Sequence, residues 1–155
     1  MEVKGPKRGT DAKRSFSLES SPAHLLHRAQ QRAADVTAQA LRAHGLTTRQ
    51  YAVLLVLSEA NEMAQSTLVQ ATGIDRSTLA DMLARMAKRG LVTSERTESD
   101  QRANLVRMTP QGSGALEAVA PKVADAEERM LESLPKNTRD IFVEALQLIA
   151  NQGKR

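Results

Sequence analysis

Leu68-Val69-Gln70-Ala71-Thr72-Gly73-Ile74-Asp75-Arg76-Ser77-Thr78-Leu79-Ala80-Asp81-Met82-Leu83-Ala84-Arg85-Met86 is the stretch on which the fold turns. A short helix fits Gln65 to Ala71, with Leu68 and Val69 apolar, and Gly73 can supply the left-handed residue that stops it. Asp75 is a good N-cap for the next helix, residues 76 to 89. Its Leu79, Met82, Leu83 and Met86 fall at i, i+3, i+4 and i+7 before Gly90 ends the pattern. Two helices meeting across Thr72-Gly73-Ile74-Asp75 have the form of a helix-turn-helix.

Upstream, Thr47-Thr48-Arg49-Gln50 reads as a capping box, the threonine oxygen taking one free backbone N–H while the glutamine reaches back to another. The helix it opens runs near 48 to 60, with Val53, Leu54 and Leu57 inward. Before it, Ser21-Pro22 offers a cap and a proline at the first helical position. Leu25, Leu26, Ala29, Ala33, Val36 and Ala40 then keep one face apolar to about Leu41. Ala64, before the short helix, has no side chain that could cap it.

Downstream, Leu91 to Arg96 and Ala103 to Met108 are short β-compatible runs separated by the polar Thr97-Glu98-Ser99-Asp100-Gln101-Arg102, which predicts a hairpin with a charged tip. Thr109-Pro110 launches a long helix to about Leu131 that Pro121 should kink, and a last helix near 136 to 150 carries Phe142, Ala145, Leu146 and Ile149 on one face. The expected fold is mainly α with a small β-hairpin wing, a winged helix-turn-helix over about 47–109 between long helices at about 22–44 and 110–150. Residues 1–20, with Gly5-Pro6 and Gly9 among scattered charges, read as a flexible basic tail ahead of a single domain over 21–155. The apolar faces of the first and last helices exceed what a small winged domain can cover, so a second copy of the chain is the natural place to bury them.

Composition agrees and removes alternatives. The chain has 155 residues, 41% of them hydrophobic, and only Phe16, Tyr51 and Phe142 are aromatic, so aliphatic side chains and Met must fill the core. Zero cysteines exclude disulfides, zinc-thiolate sites, thiol nucleophiles and thiol redox sensing. No window approaches the roughly 18 consecutive apolar residues of a spanning helix. No membrane is expected, and the cytoplasm is the expected location. No GxSxG, HExxH or phosphate-cradling glycine loop points to an enzyme, and no cofactor is expected. His24, His27 and His44 make a poor metal set, since zinc wants about four well-placed ligands. Of 22 Lys and Arg against 18 Asp and Glu, the excess concentrates at residues 76–107, where seven basic side chains face four acidic ones. Such a block points to a polyanion.

The polar side of the fourth helix holds Arg76, Ser77, Thr78, Asp81 and Arg85, a guanidinium and hydroxyls beside the free N–H groups of a first turn, suited to phosphates and base edges. At the hairpin tip Asp100 and Arg102 lie two residues apart. In an extended chain the carboxylate holds the guanidinium in one orientation, as a minor-groove probe requires. A winged helix used only for protein interaction would need neither feature.

The order of these pieces resembles the MarR family of transcriptional regulators over about residues 22 to 150. Leu83-Ala84-Arg85-Met86-Ala87-Lys88-Arg89-Gly90-Leu91-Val92, Asp100-Gln101-Arg102-Ala103 and Leu105-Val106-Arg107-Met108-Thr109-Pro110-Gln111-Gly112 carry the resemblance. It implies a homodimer built on the first, fifth and sixth helices, a winged domain on each half of a pseudo-palindromic double-stranded DNA site, and a small effector that releases a repressor. It also implies groove readers at Ser77, Thr78 and Asp81 and a wing pair at Asp100 and Arg102. Effector candidates are His24, His27, Arg28 and Arg32 on the first helix with Arg49 and Tyr51 on the second. The polar first helix and the lack of thiols suggest an aromatic acid or its coenzyme A thioester, as for relatives that control aromatic-acid degradation.

Overall fold

The computed structural model describes residues 17–96 and 104–151 and distinguishes two units, Met1–Arg32 and Ala33–Arg155. The tail before residue 17 and the wing tip, with Asp100 and Arg102, lie outside the described residues. Six α-helices appear among those described: α1 (Pro22–Arg42), α2 (Thr48–Ala60), α3 (Gln65–Thr72), α4 (Arg76–Lys88), α5 (Pro110–Leu131) and α6 (Lys136–Asn151). Within the larger unit the strands β1 (Glu62–Ala64), β2 (Val92–Arg96) and β3 (Asn104–Met108) form an antiparallel sheet in the order β1-β3-β2.

The helix boundaries follow the capping chemistry. Thr47 Oγ1 accepts from the Gln50 N–H at 3.2 Å and Gln50 Oε1 accepts from the Thr47 N–H at 3.1 Å, so the box is complete. Gly73 adopts φ +68° and its N–H returns to the Val69 carbonyl, ending α3 in the left-handed turn that only glycine enters without strain. The start of α3 at Ala64 has no side-chain cap. Helix α5 runs continuously through Pro121.

The hairpin is a three-stranded sheet. The added strand β1 pairs with β3 through Glu62 opposite Arg107, Met63 opposite Val106 and Ala64 opposite Leu105. Glu-Met-Ala has no β-branched residue and is too short to alternate, so its extended form comes from its partner across the sheet. Arg107 bridges all three strands, its Nε donating to Glu62 Oε2 at 2.5 Å and its guanidinium lying 3.5 Å from Glu95 Oε2.

The core packs Val53, Leu54 and Leu57 of α2 against Leu68, Leu79, Met86, Val92 and Val106, with Val119 and Val123 of α5 closing one side. A knot of backbone contacts fixes the end of α4 to the start of α5. Thr109 Oγ1 accepts from the Gly112 N–H at 3.0 Å and donates to the Gly90 carbonyl at 2.5 Å, while the Thr109 N–H reaches Leu91 O at 3.1 Å. Gly112 lies against that Leu91 carbonyl so closely that a Cβ would overlap it.

Candidate nucleic-acid interface

Helix α4 divides sharply around its axis. Leu79, Met82, Leu83 and Met86 are buried, whereas Arg76, Ser77, Ala80, Asp81, Ala84, Arg85 and Lys88 are exposed and Thr78 is half-buried. The middle of the exposed side carries short side chains, with arginines toward both ends. A helix about 10–12 Å across with its side chains fits a major groove of about 12 Å, and small outward residues let its backbone lie deeper there. Ala80 and Ala84 therefore belong to the surface as much as the polar residues do. Sequence reasoning passed over them because apolar small residues carry no polarity signal.

The N-cap shapes the first turn of α4. Asp75 Oδ1 accepts from the Thr78 N–H at 2.9 Å and from the Ser77 hydroxyl at 2.8 Å. The Thr78 side chain, then its N–H, then the Ser77 hydroxyl hold the Asp75 carboxyl down at about 2 from the usual 3.8. Ser77 thus has its proton committed to the cap, which leaves its hydroxyl oxygen as an acceptor. Because the folded carboxyl titrates below the unfolded one, the cap stabilises α4 above about pH 4 and is lost as pH falls from about 4 to about 2. The Thr78 amide resonance should titrate with a midpoint near pH 2, and Asp75→Asn should flatten that titration. A Thr78 midpoint near 4 would mean that the hydrogen bonds do not hold the carboxylate.

Two members of the basic block serve the fold. Arg107 is neutralised by Glu62, its main partner, with Glu95 adding to the effect, and its pKa is raised accordingly. Arg89, capping α4, donates to the Gly45 carbonyl at 2.9 Å and to Gln50 Oε1 at 3.4 Å. Arg76, Arg85 and Lys88 face outward, and among the described residues their side chains have no hydrogen-bond or ion-pair partner.

The effector candidates fall on two helices. His24, His27, Arg28 and Arg32 all lie on α1 within the first unit, with His27, Arg28 and Arg32 exposed. Tyr51 on α2 is half-buried, and burial pushes its phenol up with the Glu127 carboxylate adding to the shift. Arg49, two residues earlier, is exposed and lines a cleft of about 780 Å³ with Arg42 and Arg85. Arg42 was not singled out from the sequence, because only the folded chain sets it beside the other two. Among the described residues no group of His, Cys, Asp and Glu could hold a metal, and no helix is long and apolar enough to cross a membrane.

A family model described as MarR family matches residues 44–103. The transcriptional regulator HosA of Escherichia coli O157:H7 is 34% identical over 106 residues, which span 68% of this chain and 78% of HosA. The chain belongs to the MarR family. Two solved MarR-type regulators superimpose over most of its length. BpsR of Bordetella bronchiseptica, whose DNA binding is regulated by 6-hydroxynicotinic acid, matches at 26% identity and a TM-score of 0.82, over 88% of this chain and 97% of BpsR. The repressor CouR, bound to a 23-mer DNA duplex, matches at 30% identity and a TM-score of 0.80, over 86% of this chain and 94% of CouR. The MarR assignment places the chain among regulators of transcription. It also accounts for the mainly helical winged fold.

Proposed function

We propose that this MarR-family chain is a DNA-binding repressor that holds a pseudo-palindromic operator as a homodimer and is released by an aromatic acid or its coenzyme A thioester. The observation that carries the DNA reading is the slender exposed face of α4, small in the middle and ending in Arg76 and Arg85, beside a sheet that leads to Asp100 and Arg102. Arg76, Ser77, Thr78, Asp81 and Arg85 enter the major groove, and Arg102, aligned by Asp100, probes the minor groove. DNA-bound CouR supports the docking mode and acid-regulated BpsR the effector class.

The dimer reading rests on α6, none of whose residues is buried within the protomer. Ile141, Leu148 and Ile149 are 64%, 71% and 51% exposed. Leaving three large aliphatic side chains on one helix in water forgoes about 1.5–3 kcal/mol for each, which a second copy recovers.

The test is binding of the chain to its own upstream DNA by fluorescence anisotropy across a salt series. Six to ten phosphate contacts would cut affinity about 10³–10⁵-fold between 50 and 200 mM salt. Arg102→Ala should weaken the complex more than tenfold while the dimer persists. A flat salt response would overturn the groove model in favour of a protein-interaction module, and an unchanged Arg102→Ala complex would remove the wing from the contact.

A further inference from the structure

We propose that Lys122 is a site of covalent acylation by an activated acyl donor, an acyl phosphate or an acyl thioester, with His44 as the base that takes its proton. Lys122 is an exposed residue of α5, and half-buried His44 lies in the turn between α1 and α2, 78 positions earlier. Lys122 Nζ and His44 Nε2 are 2.7 Å apart. An ammonium carries donors only, so the imidazole accepts through Nε2 and holds its own proton on Nδ1. His44 is therefore neutral in this contact, with a lone pair aimed at a nitrogen nucleophile, the side-by-side arrangement that activates such a group.

Among the described residues the pair stands apart in two ways. Lys88 on α4 and Lys136 on α6 are exposed and have no hydrogen-bond or ion-pair partner, so neither has a base at hand. Lys122 in turn has no carboxylate within ion-pair range, since both ion pairs of the described residues belong to Arg107. A carboxylate would hold the proton on the nitrogen, whereas an imidazole can carry it off. Arg89 reaches the same turn, its guanidinium donating to the Gly45 carbonyl at 2.9 Å. Two cations at one turn draw a reagent that carries phosphate groups, as acyl phosphates and coenzyme A thioesters do.

The step balances without a redox partner. The ammonium releases one proton to water, and the lone pair of the amine attacks the carbonyl carbon of the donor. A second proton passes from Nζ to His44 Nε2 and on to solvent as the C–N bond forms. The C–O bond to phosphate or the C–S bond to the thiol breaks, and its electron pair leaves with the departing group. The product is a neutral amide, so the ammonium contact that ties α5 to the α1–α2 turn is lost with the charge.

The test incubates the full chain with acetyl phosphate and, separately, with acetyl coenzyme A, and follows each lysine by mass spectrometry of timed digests. A well-placed base contributes about 10²–10⁴-fold, and this pair, open to water, should still acetylate at least about tenfold faster than Lys88 and Lys136 with one reagent or both. The reagent that succeeds tells an acyl phosphate donor from a thioester. His44→Gln keeps an acceptor for the Lys122 ammonium but removes the basic nitrogen. The Lys122 rate in that variant should fall to within about twofold of Lys88, with far-UV dichroism unchanged. A purely structural role for His44 predicts that glutamine changes nothing. Equal rates at the three lysines, labelling by neither reagent, or a Lys122 rate that survives His44→Gln would overturn the proposal. Neither arm contains DNA, so the outcome is independent of the operator reading.

Discussion

Gly112→Ala should destabilise the protein by about 3 kcal/mol, although helix propensity alone predicts a gain of about 1 kcal/mol. The added methyl would overlap the Leu91 carbonyl carbon and oxygen and sit 2.9 Å from Met108 Cγ. Met108 can rotate away, but the Leu91 carbonyl is held by the Thr109 N–H, so the backbone itself must move. Gly114, one half-turn further along α5, has nothing within 4 Å of where its Cβ would lie. Gly114→Ala should therefore stabilise by about 0.5–1 kcal/mol. Urea denaturation of both variants at one chain concentration checks the pair, since the proposed dimer would make stability depend on concentration. Two substitutions of the same kind in one helix with opposite signs would tie the effect to the contact. Equal signs would remove the contact as its cause.

The combined Ile141→Glu and Leu148→Glu substitution should abolish the dimer and weaken binding to upstream DNA at least hundredfold. The two positions are seven residues apart, on one face of α6, and neither is buried in the protomer. Charges there cost the isolated fold little, so the loss falls on assembly. A lone winged domain then binds half an operator without the effective concentration that its partner supplies. Sedimentation should give a monomer with far-UV dichroism unchanged. A persistent dimer would place the subunit contact elsewhere, and a monomer with undiminished affinity would mean that the half-sites are read independently.

Capping chemistry made the helices legible. Thr47 with Gln50, Asp75, and Thr109 with Pro110 each announce a helix start through a side chain whose partner lies within three residues, and the structure uses each of them that way. Strand β1 was not legible, because the information that makes Glu62-Met63-Ala64 extended sits at Leu105, Val106 and Arg107. Charge was legible in amount but not in use. Arg89 and Arg107 swell the basic block, yet their partners are Gly45, Gln50 and Glu62, dozens of residues away. The face of α4 follows from its periodicity. The arginine cleft joins residues 42, 49 and 85, and no local pattern relates them. On α6 the apolar face of Phe142, Ala145, Leu146 and Ile149 is legible from its spacing, yet only Phe142 and Leu146 are half-buried, while Ala145 and Ile149 are exposed, as are Ile141 and Leu148 beside them.

The pairing of β1 with β3 also orders events in time. Glu62 and Arg107 meet across 45 positions of chain, and α3 and α4 lie wholly within the loop that this clasp closes. On a ribosome, α4 is complete before β3 has been made, so its buried Leu79 and Met86 stay without their full cover until the wing has emerged. Closing so long a loop costs only slightly more than closing a short one, about 0.6 kcal/mol for each doubling, so the delay carries little penalty in final stability. The pair α3 and α4 is therefore an insert locked in place by a late-made strand, and opening that strand would release the two helices as one unit.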